Sequence, residues 1–85
     1  MAKYSVFILP SAQKEISKLP KPTQNKILKV LIGLSENPRP VGCKKLVGVD
    51  AWRVRVSDYR IVYSIEDHIL KIEVIRVAHR KDAYR

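Results

Sequence analysis

The sequence predicts an α+β domain: an N-terminal strand, a two-helix hairpin, then an antiparallel meander of three or four strands. Two observations carry this. Apolar residues recur at helical spacing in the first half of the chain, and from Lys44 onward the period changes to two. Proline and turn residues separate the segments, at Pro10, Pro20 and Asn37 to Pro40. Helices set apart from an antiparallel sheet define an α+β fold, with the helices on one sheet face and solvent on the other.

Each element has a local reason. Tyr4 to Leu9 is compact, apolar and rich in strand formers, and it stops at Pro10. Ser11 offers an N-cap, and Ala12, Ile16 and Leu19 fall at i, i+4 and i+7 of a short helix ended by Pro20. Pro22 suits the first turn of a second helix, whose stripe is Ile27, Leu31 and Leu34, widened by Leu28 and Val30. Asn37, Pro38 and Pro40 terminate it. Trp52, Val54 and Val56 then alternate with Arg53 and Arg55, Ser57 and Asp58 form a turn, and Arg60 to Ile65 returns as the next strand. Asp67 and His68 mark another turn before a strand from Ile69 to Val77, and a polar tail follows from His79.

The 85 residues fit one domain, expected to span 1–85, in which a single core buries about two-thirds of the unfolded surface. Seventeen Lys and Arg against eight Asp and Glu leave a net charge of +9, which favours a polyanion or an acidic protein as partner. Cys43 is the only cysteine, so an internal disulfide is excluded and the residue reads as a small, partly buried apolar side chain. The apolar stretch near Met1 is too short for a signal peptide and no later run reaches spanning length, so a soluble, cytoplasmic protein is expected.

The charge is arranged as well as abundant. With Ser57 and Asp58 as a two-residue turn, Val56 opposes Tyr59, Arg55 opposes Arg60, and Arg53 opposes Val62. Alternation then puts Arg53, Arg55, Arg60 and Val62 on one face, and Trp52, Val54, Val56, Tyr59, Ile61 and Tyr63 on the core face. Like charges across a strand pair are destabilising. The plain explanation is a solvated face with Glu66, Glu73 and Asp82 as counter-ions. The functional one is a phosphate site, because the planar guanidinium fork matches phosphate oxygens.

Lys44 and Lys45 precede the meander and widen this surface, and the tail adds His79, Arg80, Lys81, Tyr84 and Arg85. Tyr84 and His79 are suited to stacking on a base or handling a proton. Cys43, His68 and His79 show no metal-ligand spacing, and the chain has neither a Gly-rich phosphate loop nor a nucleophile elbow. If this chain cuts RNA, it is therefore expected to do so without a bound metal, and no other cofactor is implied.

The run Lys45-Leu46-Val47-Gly48, then Trp52-Arg53-Val54-Arg55-Val56, Asp58-Tyr59-Arg60-Ile61-Val62-Tyr63 and Val74-Ile75-Arg76-Val77-Ala78-His79-Arg80 through Tyr84 resembles the RelE/ParE toxin superfamily. The opening strand, the paired helices and Asn37-Pro38-Arg39-Pro40 fit the same pattern, so the resemblance covers nearly the whole chain. It implies a RelE-like microbial RNase fold and a toxin of a type II toxin–antitoxin system. RelE-like members enter the ribosomal decoding site and cut mRNA without metal, through attack of a 2′-hydroxyl on the adjacent phosphate. By position, Arg53 and Arg55 match two basic residues of the family, and Arg60 matches the arginine opening the next strand. Arg80 matches the basic residue after the last strand, and Tyr84 the functional tyrosine near the C-terminus.

The resemblance assigns roles. Arg60 and Arg53 stabilise the phosphorane, Arg80 assists the leaving oxygen, and Tyr84 positions or stacks on the substrate. Lys44, Lys45, Lys81 and Arg85 are RNA-binding candidates. The RelE pattern carries lysines where this chain has Arg53 and Arg55. Arginine does not give up its proton, which makes Arg55 a poor base and leaves His79, ordinarily titrating near 6.5, or Tyr84 as acid/base candidates. The ParE branch, sharing this fold, inhibits DNA gyrase without nuclease chemistry. A degenerate copy serving only in antitoxin or operator-DNA binding is the third reading. The ending His79 to Arg85 leans toward RelE. The expected partners are a neutralising antitoxin, acidic or with a flexible segment, the ribosome with its mRNA, and operator DNA only through the antitoxin complex.

Overall fold

The computed structural model describes residues 3–79. These form β1 (Ser5–Ile8), α1 (Pro10–Ser17), α2 (Lys21–Glu36), β2 (Lys44–Lys45), β3 (Trp52–Val56), β4 (Tyr59–Glu66) and β5 (Lys71–His79), with a 3₁₀ turn at Asp67–Ile69. The strands make one sheet in the order β1-β5-β4-β3-β2. β1 runs parallel to β5, and the remaining neighbours are antiparallel. The α+β architecture is as expected, with one addition: the opening strand joins the meander at its far end, beside β5.

Proline chemistry sets the helix starts. α1 begins at Pro10, with Leu9 extended at its N-cap (φ −63°, ψ 151°). Pro10 has the φ a first helical residue needs and no N–H to leave unpaired. Ser11 is therefore inside the helix rather than its N-cap, and its hydroxyl lies 3.5 Å from the Ile75 carbonyl. Pro20, likewise extended, precedes α2, and Pro22 lies in the first turn. At the other end the Asn37 N–H donates to the Gly33 carbonyl at 2.9 Å, and Pro38 prevents a further turn.

The core lies between the helix pair and one sheet face. Ala12 and Ile16 of α1 and Ile27, Leu31 and Leu34 of α2 cover Val54, Val56, Ile61, Tyr63, Ile72, Val74 and Val77. Complete burial of side chains such as Ile27, Leu34 and Ile72 stabilises by about 1.5–3 kcal/mol each. Tyr63 is also fully buried, and its hydroxyl donates to the Pro38 carbonyl at 2.7 Å. Burial pushes that phenol well above the ordinary tyrosine range. Cys43 packs, half-buried, at the margin of this core.

The last strand differs from expectation. It runs Lys71–His79 rather than from Ile69 to Val77, because Asp67–Ile69 closes a helical turn that Leu70 ends in the left-handed region (φ 50°). His79 thus belongs to the strand. Val62 pairs with Arg76 but Tyr63 with Val74, so Ile75 is an extra residue, a β-bulge. The bulge resets the alternation: Ile72 and Val74 point into the core before it, and Val77 after it.

Among the described residues no helix is long and apolar enough to cross a membrane.

A candidate cationic site on the open sheet face

Register places the basic side chains in two adjacent rows. Lys44 pairs with Arg53, Arg53 with Val62, and Val62 with Arg76. In the next row Arg55 pairs with Arg60, and Arg60 with Ala78. Strand alternation projects both rows from the face away from the helices. The bulge at Ile75 is what brings Arg76 and Ala78 into line, since an unbroken period of two would send Arg76 toward the core.

These rows enclose a concavity of about 300 Å³ lined by Gly42, Lys44, Arg53, Arg55 and Arg60. Gly42 closes one end with φ +94°, a conformation that glycine adopts at little cost. Arg60 lies low in the sheet, its Nε and Nη1 shielded from solvent. Arg55 is exposed, and its Nε donates to the Ser57 carbonyl at 3.1 Å, across the turn where Ser57 is left-handed (φ 55°). The result is a wall of four cationic side chains around a volume suited to a phosphate and its sugar. Guanidinium forks can contact two phosphate oxygens at once, while the lysine acts as a point charge.

A network outside the concavity fixes the loop that carries Gly42. Arg39 forms a bidentate pair with Asp67, at 3.1 and 2.9 Å, and the Tyr4 hydroxyl donates to the same carboxylate at 2.7 Å. These bonds, Arg39 foremost, hold the Asp67 carboxyl down at about 2. They also raise the Tyr4 phenol, mainly through its bond to the Asp67 carboxylate. The Arg39 guanidinium lies 5.1 Å from the centre of the Trp52 ring, a cation–π contact next to Arg53 in the chain.

The structure brings together Arg53, Arg55, Arg60 and Lys44, and it separates others. Lys45 pairs with Trp52, on the other face, and its Nζ is 3.8 Å from Asp50. His79 pairs with Tyr59 and meets that ring edge-on, with centroids 5.5 Å apart and planes at 83°. Tyr59 also pairs with Val56, whose side chain is buried, so His79 is on the helix-bearing face, away from the arginines. Arg80, Lys81, Asp82, Tyr84 and Arg85 lie outside the described residues. Of the expected counter-ions, Glu73 is 3.9 Å from Lys71, and Arg76 is 3.6 Å from Glu15 of α1. Neither Gly42 nor Arg76 was singled out from sequence. The glycine needed the loop's path, and Arg76 needed the bulge.

Fold and basic face together define a small cationic α+β domain, and comparison with known proteins gives the family. Residues 6–84 match the ParE toxin of type II toxin–antitoxin systems, and the chain belongs to this RelE/ParE toxin family. Its curated relatives include toxins named RelE and RelG. Toxin RelE of Mycobacterium tuberculosis is 31% identical over 86 residues, covering 96% of this chain and 87% of that protein. The toxin in the RelBE2 toxin–antitoxin complex of the same organism superposes with a TM-score of 0.84 at 28% identity, covering 96% of this chain and 97% of that one. The archaeal RelE–RelB complex from Pyrococcus horikoshii gives 0.85 at 29% identity, covering 95% and 99%.

Proposed function

We propose that this toxin is a RelE-like, ribosome-dependent endoribonuclease that inhibits translation by cutting mRNA in the decoding site. The observation that carries the reading is the concavity of Lys44, Arg53, Arg55 and Arg60 on the open sheet face. The 2′-hydroxyl of one nucleotide attacks the next phosphate, leaving a cyclic phosphate and a free 5′-hydroxyl. The phosphorane formed on the way carries two negative charges, and fixed cations around it stabilise that state more than the singly charged diester. Arg53 and Arg60 are assigned to the phosphorane, with Arg55 beside them. Arg80 assists the leaving oxygen and Tyr84 positions or stacks on the substrate, while Lys81 and Arg85 hold RNA; Lys45, on the opposite face, receives no role. His79 faces away from this site and receives no role in the reaction. The chemistry proceeds without a metal or other cofactor.

The domain spans 1–85 and works in the cytoplasm, where its substrate is. RelE is bound to RelB in the mycobacterial and archaeal complexes. By analogy, an antitoxin with an acidic or flexible segment neutralises this chain and links it to operator DNA.

The test is cleavage of a defined mRNA on purified ribosomes in the presence of a chelator, with ends mapped by primer extension. Cuts at fixed codon positions are expected, and Arg80→Ala and Tyr84→Ala lower their yield without altering the fold. Absence of cleavage overturns the reading, and DNA breaks with gyrase would support the ParE-like alternative instead.

A further inference from the structure

The site as drawn has abundant positive charge, yet its arginines cannot move a proton. Transfer of the 2′-hydroxyl onto phosphorus requires that the hydroxyl proton go somewhere, and guanidinium is no acceptor. Among the described residues, the concavity's lining offers one side chain able both to take up and to release a proton. We propose that Lys44 is this acid–base group, a role that rests on the nuclease reading above.

Register supports the placement. Lys44 belongs to a two-residue edge strand and pairs directly with Arg53. It therefore projects on the same face as Arg53 and Arg55, and its side chain forms part of the concavity with Arg60. Its neighbour Lys45 goes to the other side, so the strand delivers one amine to the site and withholds the other.

The step balances without a co-reactant. The Lys44 amine, having first given a proton to solvent, accepts the 2′-hydroxyl proton as the O2′–P bond forms. The P–O5′ bond breaks, and the departing oxygen takes a proton from solvent. Lys44 ends as the ammonium it began as, so the reaction is a transesterification with no net proton change.

The experiment compares single-turnover mRNA cleavage on ribosomes, across pH, for wild type, Lys44→Arg, Lys44→Ala and the remote Lys29→Arg of α2. Positioned general acid–base groups contribute about 10²- to 10⁴-fold. Lys44→Arg keeps the charge and loses the exchangeable amine, so a loss of about 100-fold or more is expected, with ribosome affinity retained and the pH dependence flattened. Lys29→Arg cleaves as wild type does, and added ethylamine restores part of the Lys44→Ala rate. Near-wild-type cleavage by Lys44→Arg with an unchanged pH profile overturns the assignment and leaves Lys44 a phosphate ligand. Restoration of Lys44→Ala by salt as well as by ethylamine overturns it too. If the wild type itself fails to cut, the nuclease reading falls, and this role with it.

Discussion

Arg55 and Arg60 face each other directly across the β3–β4 hairpin, one exposed and anchored to the turn, the other with two nitrogens shielded from solvent. Opposed like charges in a strand pair cost a few tenths of a kcal/mol, up to about 1. A face tuned for stability alone would not place them so. The arrangement is one in which substrate affinity and folding stability pull in opposite directions.

Arg55→Thr is therefore expected to hold or raise the melting temperature while lowering ribosome-dependent cleavage at least about tenfold, since a threonine fits a half-exposed strand and relieves the repulsion. Thermal unfolding and the primer-extension assay check the two halves. A lower melting temperature would show that the Arg55 bond to the Ser57 carbonyl outweighs the repulsion.

The Arg39–Asp67–Tyr4 network predicts an acid limb in stability. Asp67 titrates at about 2 in the folded protein, below its ordinary value of 3.8. A carboxyl with depressed folded pKa gives stability that is present above the unfolded value and lost as pH falls from about 4 toward 2. Asp67→Asn should lower the melting temperature at pH 7 and flatten its fall over that window. Parallel acid limbs in the two proteins would refute the assignment.

Tyr63 should behave in the opposite sense. A phenol whose folded pKa is raised contributes stability that is present below the unfolded value, near 10, and is lost as pH rises above it. In an alkaline titration followed by absorbance, Tyr63 ionises only as the protein unfolds. Tyr63→Phe removes the bond to the Pro38 carbonyl and is expected to cost about 1–2 kcal/mol in denaturant unfolding.

Glu15 completes the sheet beyond the end of β1. Its Oε1 accepts the Val77 N–H at 2.9 Å, where no strand residue reaches, and Oε2 is 3.6 Å from Arg76 Nε. Glu15→Ala should destabilise by about 1–2 kcal/mol through the lost partner of a part-buried amide. Hydrogen exchange at Val77 should accelerate more than at Val74, and equal change at both would rule out a local cap.

What was legible in the sequence follows from how local the cause is. The β3–β4 register was readable because a two-residue turn fixes it, and Arg-Val-Arg-Val leaves no doubt about alternation. Ile75 hid the bulge: with Val74 and Ile75 both apolar, either phase of a period-two pattern satisfies the core. The parallel pairing of β1 with β5 depends on residues more than sixty positions apart, as Ser5 with Lys71, and no local signal encodes it. Ser11 misled because Pro10 already fits the first helical position. The facing of His79 was hidden by the same bulge, which changed the strand's phase.

The order of strands also bears on biosynthesis. β5, the last strand made among those described, lies between β1 and β4. A growing chain that has not yet emerged past Val74 leaves β1 with no partner and β4 with a bare edge. Sheet closure, and with it the Arg60–Ala78 row, waits for β5 to leave the ribosome. A protein proposed to cut the messages of translating ribosomes thus has no closed sheet until its last described strand has emerged from the one that makes it.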